Sequence, residues 1–156
     1  MIKIMFVCLG NICRSPMAEY VFKDMIKRLG IKDDFSVSSS ATSNEAVGCD
    51  IYSPAKKCLH DHGVSFNKHC ARRFTEKDYE EMDHIFIMER RNFVNLCRII
   101  RDDSEGKIHL LREFDANGKD IADPWYTGDF ETAYNDIRSG CIGVLKHLGY
   151  DTSTLD

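Results

Sequence analysis

Cys8 and Arg14 are separated by five residues in the run Cys8-Leu9-Gly10-Asn11-Ile12-Cys13-Arg14-Ser15, and none of the other cysteines has an arginine six positions on. A tight loop of this kind ahead of a helix turns successive backbone N–H groups inward, making a nest for a tetrahedral oxyanion. Gly10 permits a positive φ there, and Asn11 tolerates one better than most residues. Arg14 closes the nest with a planar fork that binds two phosphate oxygens and keeps its charge. Cys8, at the base, feels the helix N-terminus, the inward amides and Arg14, all of which favour thiolate over thiol. Ser15 can donate a hydrogen bond to that thiolate and ease the departure of a phosphorylated sulfur. Two plainer readings compete: a buried cysteine with an ion-paired arginine nearby, and an anion-binding loop without catalysis. The second has no use for a thiol at its base.

A thiolate attacking a phosphate monoester must expel an alkoxide or phenoxide, which needs a general acid within hydrogen-bond reach of the leaving oxygen. The chain holds 25 aspartates and glutamates, so composition cannot choose among them. The choice falls to the elements that surround the loop.

Ile2 to Val7 is a short apolar run, the mark of a strand buried on both faces. Ser15 as N-cap, Pro16 in the first turn and Gly30 at the end predict a helix over 15–29. Further strands are predicted at 35–41, 84–88 and 108–111. Helices are predicted from Ser53-Pro54 to Gly63, over 75–82 with a Thr75…Asp78 cap, over 89–100 and over 129–148. Strands alternating with helices imply right-handed crossovers and a parallel sheet covered on both faces. The reading is an α/β fold: a four-stranded, doubly wound parallel sheet in the order 2-1-3-4, a flavodoxin-like three-layer sandwich. Ligands bind such sheets beyond the carboxyl ends of the strands, where the winding reverses. That rim is where Cys8 to Ser15 falls.

The connection from Arg112 to Gly128 lies on the same rim and contains Asp115, Asp120 and Asp123. Asp123 is followed by Pro124, which forces it to an extended conformation, and then by Trp125 and Tyr126. On the residues alone, Asp123 is either the acid or the head of an ordinary Asx turn.

The 156 residues are 43% hydrophobic and 29% charged, which fits one folded domain over 1–156. A net charge of −4 argues against nucleic acid as partner, since phosphate contacts need a basic surface. The longest apolar run, 4–10, is far short of the ~20 residues that cross a bilayer. A secretory leader is not expected either, because Asn11 and Arg14 follow where a small-residue cleavage site belongs. Seven scattered cysteines then read as reduced thiols of a cytoplasmic protein, and no C-x-x-C pair suggests zinc.

Cys8 to Ser15 with the following Pro16 resembles the phosphate-binding loop of the low-molecular-weight protein tyrosine phosphatases. The Ser39 region, His69 before Ala71-Arg72, Asp123-Pro124 and the helix start Phe130-Glu131-Thr132 follow in that family's order. The resemblance implies a metal-independent, cofactor-free hydrolase acting on phosphotyrosine in proteins or peptides, with inorganic phosphate as product and inhibitor. It implies a monomer or weak homodimer without membrane or nucleic-acid partners. It makes Cys8 the nucleophile and Asp123 the acid, and gives phosphate binding to 9–14, with the Arg14 side chain. Asn11, Ser39 and His69 would brace the loop, and Cys13 would resolve an oxidised Cys8 as a reversible disulfide. Leu9, Ile12, Trp125 and Tyr126 would form an apolar slot with Glu45 at the rim. Trp125 stands where a tyrosine is usual, and Glu45 where an aromatic residue is common. Thioredoxin-coupled arsenate reductases fit poorly, because Cys97 has no cysteine close by. Protein-arginine phosphatases carry a threonine at the position of Ile12. A phosphocysteine carrier would need an intermediate stable to water, and Arg14 with a rim carboxylate argues for turnover.

Overall fold

The computed structural model describes residues 1–115 and 117–155. Parallel strands β1 (Ile2–Cys8), β2 (Phe35–Ala41), β3 (His84–Ile87) and β4 (Ile108–Leu110) form one sheet in the order β2-β1-β3-β4. The helices are α1 (Arg14–Arg28), α2 (Ser53–Asp61), α3 (Glu76–Glu81), α4 (Arg90–Ile100), α5 (Pro124–Thr127) and α6 (Phe130–His147). The doubly wound α/β architecture and the strand order agree with the sequence reading.

β1 pairs with β2 from Ile2 to Cys8 and with β3 from Ile4 to Val7, so it is central and buried on both faces. Its alternate residues serve different cores, as the two-residue period of a strand dictates. Ile4, Phe6 and Cys8 join a cluster with α1, α2 and α6, while Met5 and Val7 pack with Tyr79 of α3, Leu96 of α4 and Ile85 and Ile87 of β3. A one-residue slip in register would carry the Cys8 thiol to the α3–α4 side. Among the described residues no helix is long and apolar enough to cross a membrane.

The structure departs from the sequence expectations at three places that matter for the site. Ser15 does not cap α1; the helix starts at Arg14, with Cys13 at the cap position and no side-chain cap bond. The Ser15 hydroxyl is occupied instead by Cys8 and Asn11. Leu111 leaves the strand and opens a 3₁₀ turn, Leu111–Phe114. α6 packs so closely on this turn that a Cβ at Gly140 would stand 2.6 Å from Leu111 Cγ, and one at Gly143 2.7 Å from the Phe114 carbonyl oxygen. The connection that follows also carries the short helix α5, with Asp123 at its N-cap. The Thr75…Asp78 pattern does open α3, as a reciprocal capping box.

Candidate active site

The loop between β1 and α1 has its carbonyl oxygens tied outward. The Cys8 oxygen accepts from Thr42 N at 2.9 Å, Leu9 from Ser43 N at 3.1 Å, Ile12 from Tyr52 N at 2.9 Å and Cys13 from Met17 N at 3.1 Å. A trans peptide carries its N–H opposite its C=O, so the same anchors aim the amides of the loop at its centre. Two of them reach the buried Cys8 sulfur: Asn11 N at 3.3 Å and Ser15 N at 3.4 Å. The left-handed conformation falls on Asn11, φ 60°, and not on Gly10. Gly10 lines the pocket with its bare Cα face toward Ile12 and Ala46.

Asn11 is fully buried and held by four neighbours. Its Nδ2 donates to Ser15 Oγ at 2.8 Å and to Ser39 Oγ at 3.0 Å, and its Oδ1 accepts from Arg72 N at 3.3 Å. His69 Nε2 lies 2.8 Å from the Asn11 carbonyl oxygen and 3.1 Å from Oδ1. Both are acceptors, so Nε2 carries the proton. Ser39 Oγ donates in turn to Glu19 Oε1 at 2.6 Å, and Glu19 is paired with Lys23 at 2.6 Å. A chain of hydrogen bonds thus runs from a surface lysine through Glu19, Ser39, Asn11 and Ser15 to the sulfur, 3.0 Å from Ser15 Oγ.

Arg14 is 1% exposed, and each of its terminal nitrogens has a partner. Nη1 donates to Glu89 Oε2 at 2.9 Å and to the Ile121 carbonyl at 2.8 Å; Nη2 meets Asp123 Oδ2 at 3.3 Å. Burial works against its charge, but Cys8, Asp123 and Glu89 outweigh that and raise its pKa further. Asp123 is extended, φ −77° and ψ 113°, and caps α5 through Oδ1 to Trp125 N at 3.0 Å. It is therefore both a helix cap and a rim carboxylate, so the two readings the residues left open are not exclusive. Cys13 is a buried neighbour of this charge cluster. Burial, then Cys8 and Asp123, push its thiol up to about 12 against the pull of Arg14.

These groups share a cavity of about 330 Å³. Leu9, Ile12, Glu45, Trp125 and Tyr126 all line it, as the sequence suggested, while Ser39 and His69 support the loop through Asn11. Trp125 is 53% exposed and its ring leans on Tyr52, 4.7 Å between centroids. Sequence reasoning missed Glu89, Glu19, Ala46 and Cys49. Glu89 had a readable signal, since it lies two residues past the end of β3 and so on the rim that singled out Asp123. Glu19, one helical turn after Ser15, carried none.

Fold and site together define a doubly wound α/β protein with a cysteine-centred oxyanion pocket, closed by an arginine and faced by a carboxylate. A family model for the low molecular weight phosphotyrosine protein phosphatases matches residues 3–154. The chain belongs to that family. It is 34% identical over 150 residues to the low molecular weight protein-tyrosine-phosphatase YfkJ of Bacillus subtilis, covering 95% of this chain and 96% of that one. The crystal structure of YfkJ superposes with a TM-score of 0.90 at 33% identity, over 95% and 94% of the two chains. SP-PTP of Streptococcus pyogenes, described as a low molecular weight protein tyrosine phosphatase, gives 0.86 at 36%, over 99% and 97%. DARP, described as a drosophila arginine phosphatase, gives 0.87 at 30%, over 96% and 99%.

Proposed function

We propose that the whole chain acts as one phosphatase domain that hydrolyses aryl phosphate monoesters, phosphotyrosine in proteins above all, through a cysteinyl-phosphate. The observation that carries this reading is the Cys8 sulfur, which meets Asn11 N at 3.3 Å, Ser15 N at 3.4 Å and Ser15 Oγ at 3.0 Å in a pocket shared with Arg14 and Asp123. In the first step the thiolate attacks phosphorus, the bond to the ester oxygen breaks, and Asp123 hands its proton to that oxygen. In the second, Asp123 takes a proton from water, the water oxygen bonds to phosphorus, and the P–S bond breaks. Ser15 receives the departing thiolate with its hydroxyl proton. Arg14 and the loop amides at 9–14 hold the equatorial oxygens. No metal or cofactor enters either step, and the phosphate released competes with substrate for the loop.

Glu89 and the Ile121 carbonyl keep Nη1 of Arg14 in place, while Nη2 exchanges Asp123 for a phosphate oxygen. Ile12 and Trp125 make the slot suited to a phenyl ring, and a guanidinium would find no partner on Ile12. Asn11, Ser39 and His69 keep the loop in its binding form. Cys13, a neutral thiol beside Cys8, traps the sulfenic acid of an oxidised Cys8. That oxidation also removes the Cys8 charge, one of the causes that hold the Cys13 thiol protonated. The protein works as a monomer or weak homodimer in the cytoplasm.

The test is turnover of para-nitrophenyl phosphate in EDTA, beside phosphotyrosine, phosphoserine and phosphoarginine peptides. Turnover persists in EDTA, phosphotyrosine is preferred, and Cys8→Ser abolishes the reaction. Asp123→Ala slows phenyl phosphate by about 10²–10⁴-fold but nitrophenyl phosphate far less, since its leaving group hardly needs a proton. Equal losses on the two esters would remove Asp123 from the role of acid, and faster phosphoarginine cleavage would overturn the substrate class.

A further inference from the structure

Where the end of α2 meets the start of α6, outside the catalytic pocket, three side chains with metal-ligating atoms converge. Cys58 and His62 are one helical turn apart, and Glu131 is the second residue of α6. Cys58 Sγ lies 3.8 Å from Glu131 Oε2, and His62 Nε2 lies 2.7 Å from Glu131 Oε1. All three ligand atoms fall within 4.8 Å of one another, and no other trio of His, Cys, Asp and Glu is so arranged among the described residues.

The surroundings suit a bound cation. The His62 ring is stacked on Tyr134, centroids 3.8 Å apart and planes at 12°, which fixes where its nitrogen points. Cys58 closes the cluster from the core, while His62 at 30% and Glu131 at 60% exposure leave its outer side open to water as an entry path. The His62–Glu131 pair explains itself as a hydrogen bond, but the thiol does not need to be there for it. Its contacts to Glu131 and to the Phe130 carbonyl, 3.8 and 3.6 Å, are those of a weak sulfur donor.

We propose that Cys58, His62 and Glu131 form an open, surface-accessible site for Zn²⁺, with water as fourth ligand, that clamps α2 to α6. A sulfur, a nitrogen and an oxygen donor match the preferences of that ion, and three protein ligands plus water complete its tetrahedron. Zinc bonds of about 2.0–2.3 Å place tetrahedral ligand atoms roughly 3.3–3.6 Å apart. The His62–Glu131 contact opens by a fraction of an ångström, and the exposed Glu131 side chain moves to allow it. On binding, the Cys58 thiol gives its proton to solvent, the neutral His62 ring shifts its proton from Nε2 to Nδ1 and binds through the bare Nε2, and Glu131 exchanges its hydrogen bond to His62 for the ion; nothing is oxidised or reduced. The clamp lies next to the pocket wall, because Phe130 leans on Tyr52, which carries Trp125. It stands independently of the reaction proposed for the loop.

The test uses the full chain with Cys8→Ser, which removes the loop sulfur as a rival ligand, and Co²⁺ as a visible substitute for zinc. One equivalent of cobalt is expected to give a thiolate charge-transfer band with tetrahedral visible bands, releasing about one proton, and zinc is expected to erase the bands. Cys58→Ser should abolish the charge-transfer band, and His62→Ala and Glu131→Gln should each weaken binding about tenfold or more. Glu131, on the surface, carries the test if the Cys58 variant does not fold. Absence of the band at one equivalent, or the same affinity in the His62 and Glu131 variants, would overturn the site.

Discussion

Ser15 has a single hydroxyl proton, and its neighbours decide where it goes. The oxygen already accepts from Asn11 Nδ2 at 2.8 Å, and its nearest acceptor is the Cys8 sulfur at 3.0 Å, ahead of the Ser40 carbonyl at 3.4 Å. A hydrogen bond to a charged group contributes about 1.5–3 kcal/mol. Ser15→Ala is therefore expected to lower kcat by roughly 10–100-fold through a slower second step, without the total loss expected on removing Cys8. Burst kinetics checks it: the variant should release a phenol burst larger relative to its steady rate. Residues of this kind were legible because their spacing is local, with Cys8, Arg14 and Ser15 inside one turn-and-helix segment. Glu89 and the Ile121 carbonyl, which hold Arg14, come from segments 75 and 107 residues away, and no local pattern points from one to the other.

At the scale of elements, α6 tolerates two internal glycines that a free helix would not favour. Each costs about 1 kcal/mol relative to alanine in a helix interior. The close approach to the Leu111–Phe114 turn explains them. At Gly143 the obstacle is backbone, the Phe114 oxygen at 2.7 Å from an added Cβ, which cannot swing aside. Overpacking of about 1–3 kcal/mol then exceeds the propensity gain. Gly143→Ala is expected to lower the thermal midpoint by about 2–4 °C, measured by calorimetry. A rise in the midpoint would show that the turn yields freely. This contact was invisible in the sequence, which gave two glycines in a helix without the partner that requires them. The strands were readable because their apolar runs are continuous. The early end of β4 was not, since Leu111 is apolar in either role.

Across the whole molecule, acid stability rests on carboxylates tied to neighbouring segments. Burial pushes the Asp78 carboxyl up, but Arg72 and the Thr75 cap outweigh it and leave it below the ordinary carboxylate range. Asp103 and Asp115 show the same balance, against Tyr79 with the 107 and 108 amides and against Arg112 respectively. A folded pKa below the unfolded one means that the unfolded chain binds more protons as the medium is acidified. The stability these groups contribute is present above the unfolded value of about 3.9 and is lost as pH falls through their folded values. Thermal midpoints are expected to be level near neutrality and to fall below about pH 4, less steeply in Asp78→Asn. An equal slope in that variant would assign the acid sensitivity elsewhere.

The partners of Arg14 carry one more consequence. One buried guanidinium serves the Cys8 sulfur and two carboxylates, Glu89 and Asp123. A doubly negative guest entering that company would leave it far from neutral, so the guest must bring hydrogen ions or draw them from the medium. Occupancy by inorganic phosphate is thus expected to be accompanied by net proton uptake. Titration calorimetry in buffers of different ionisation heat would read that uptake directly.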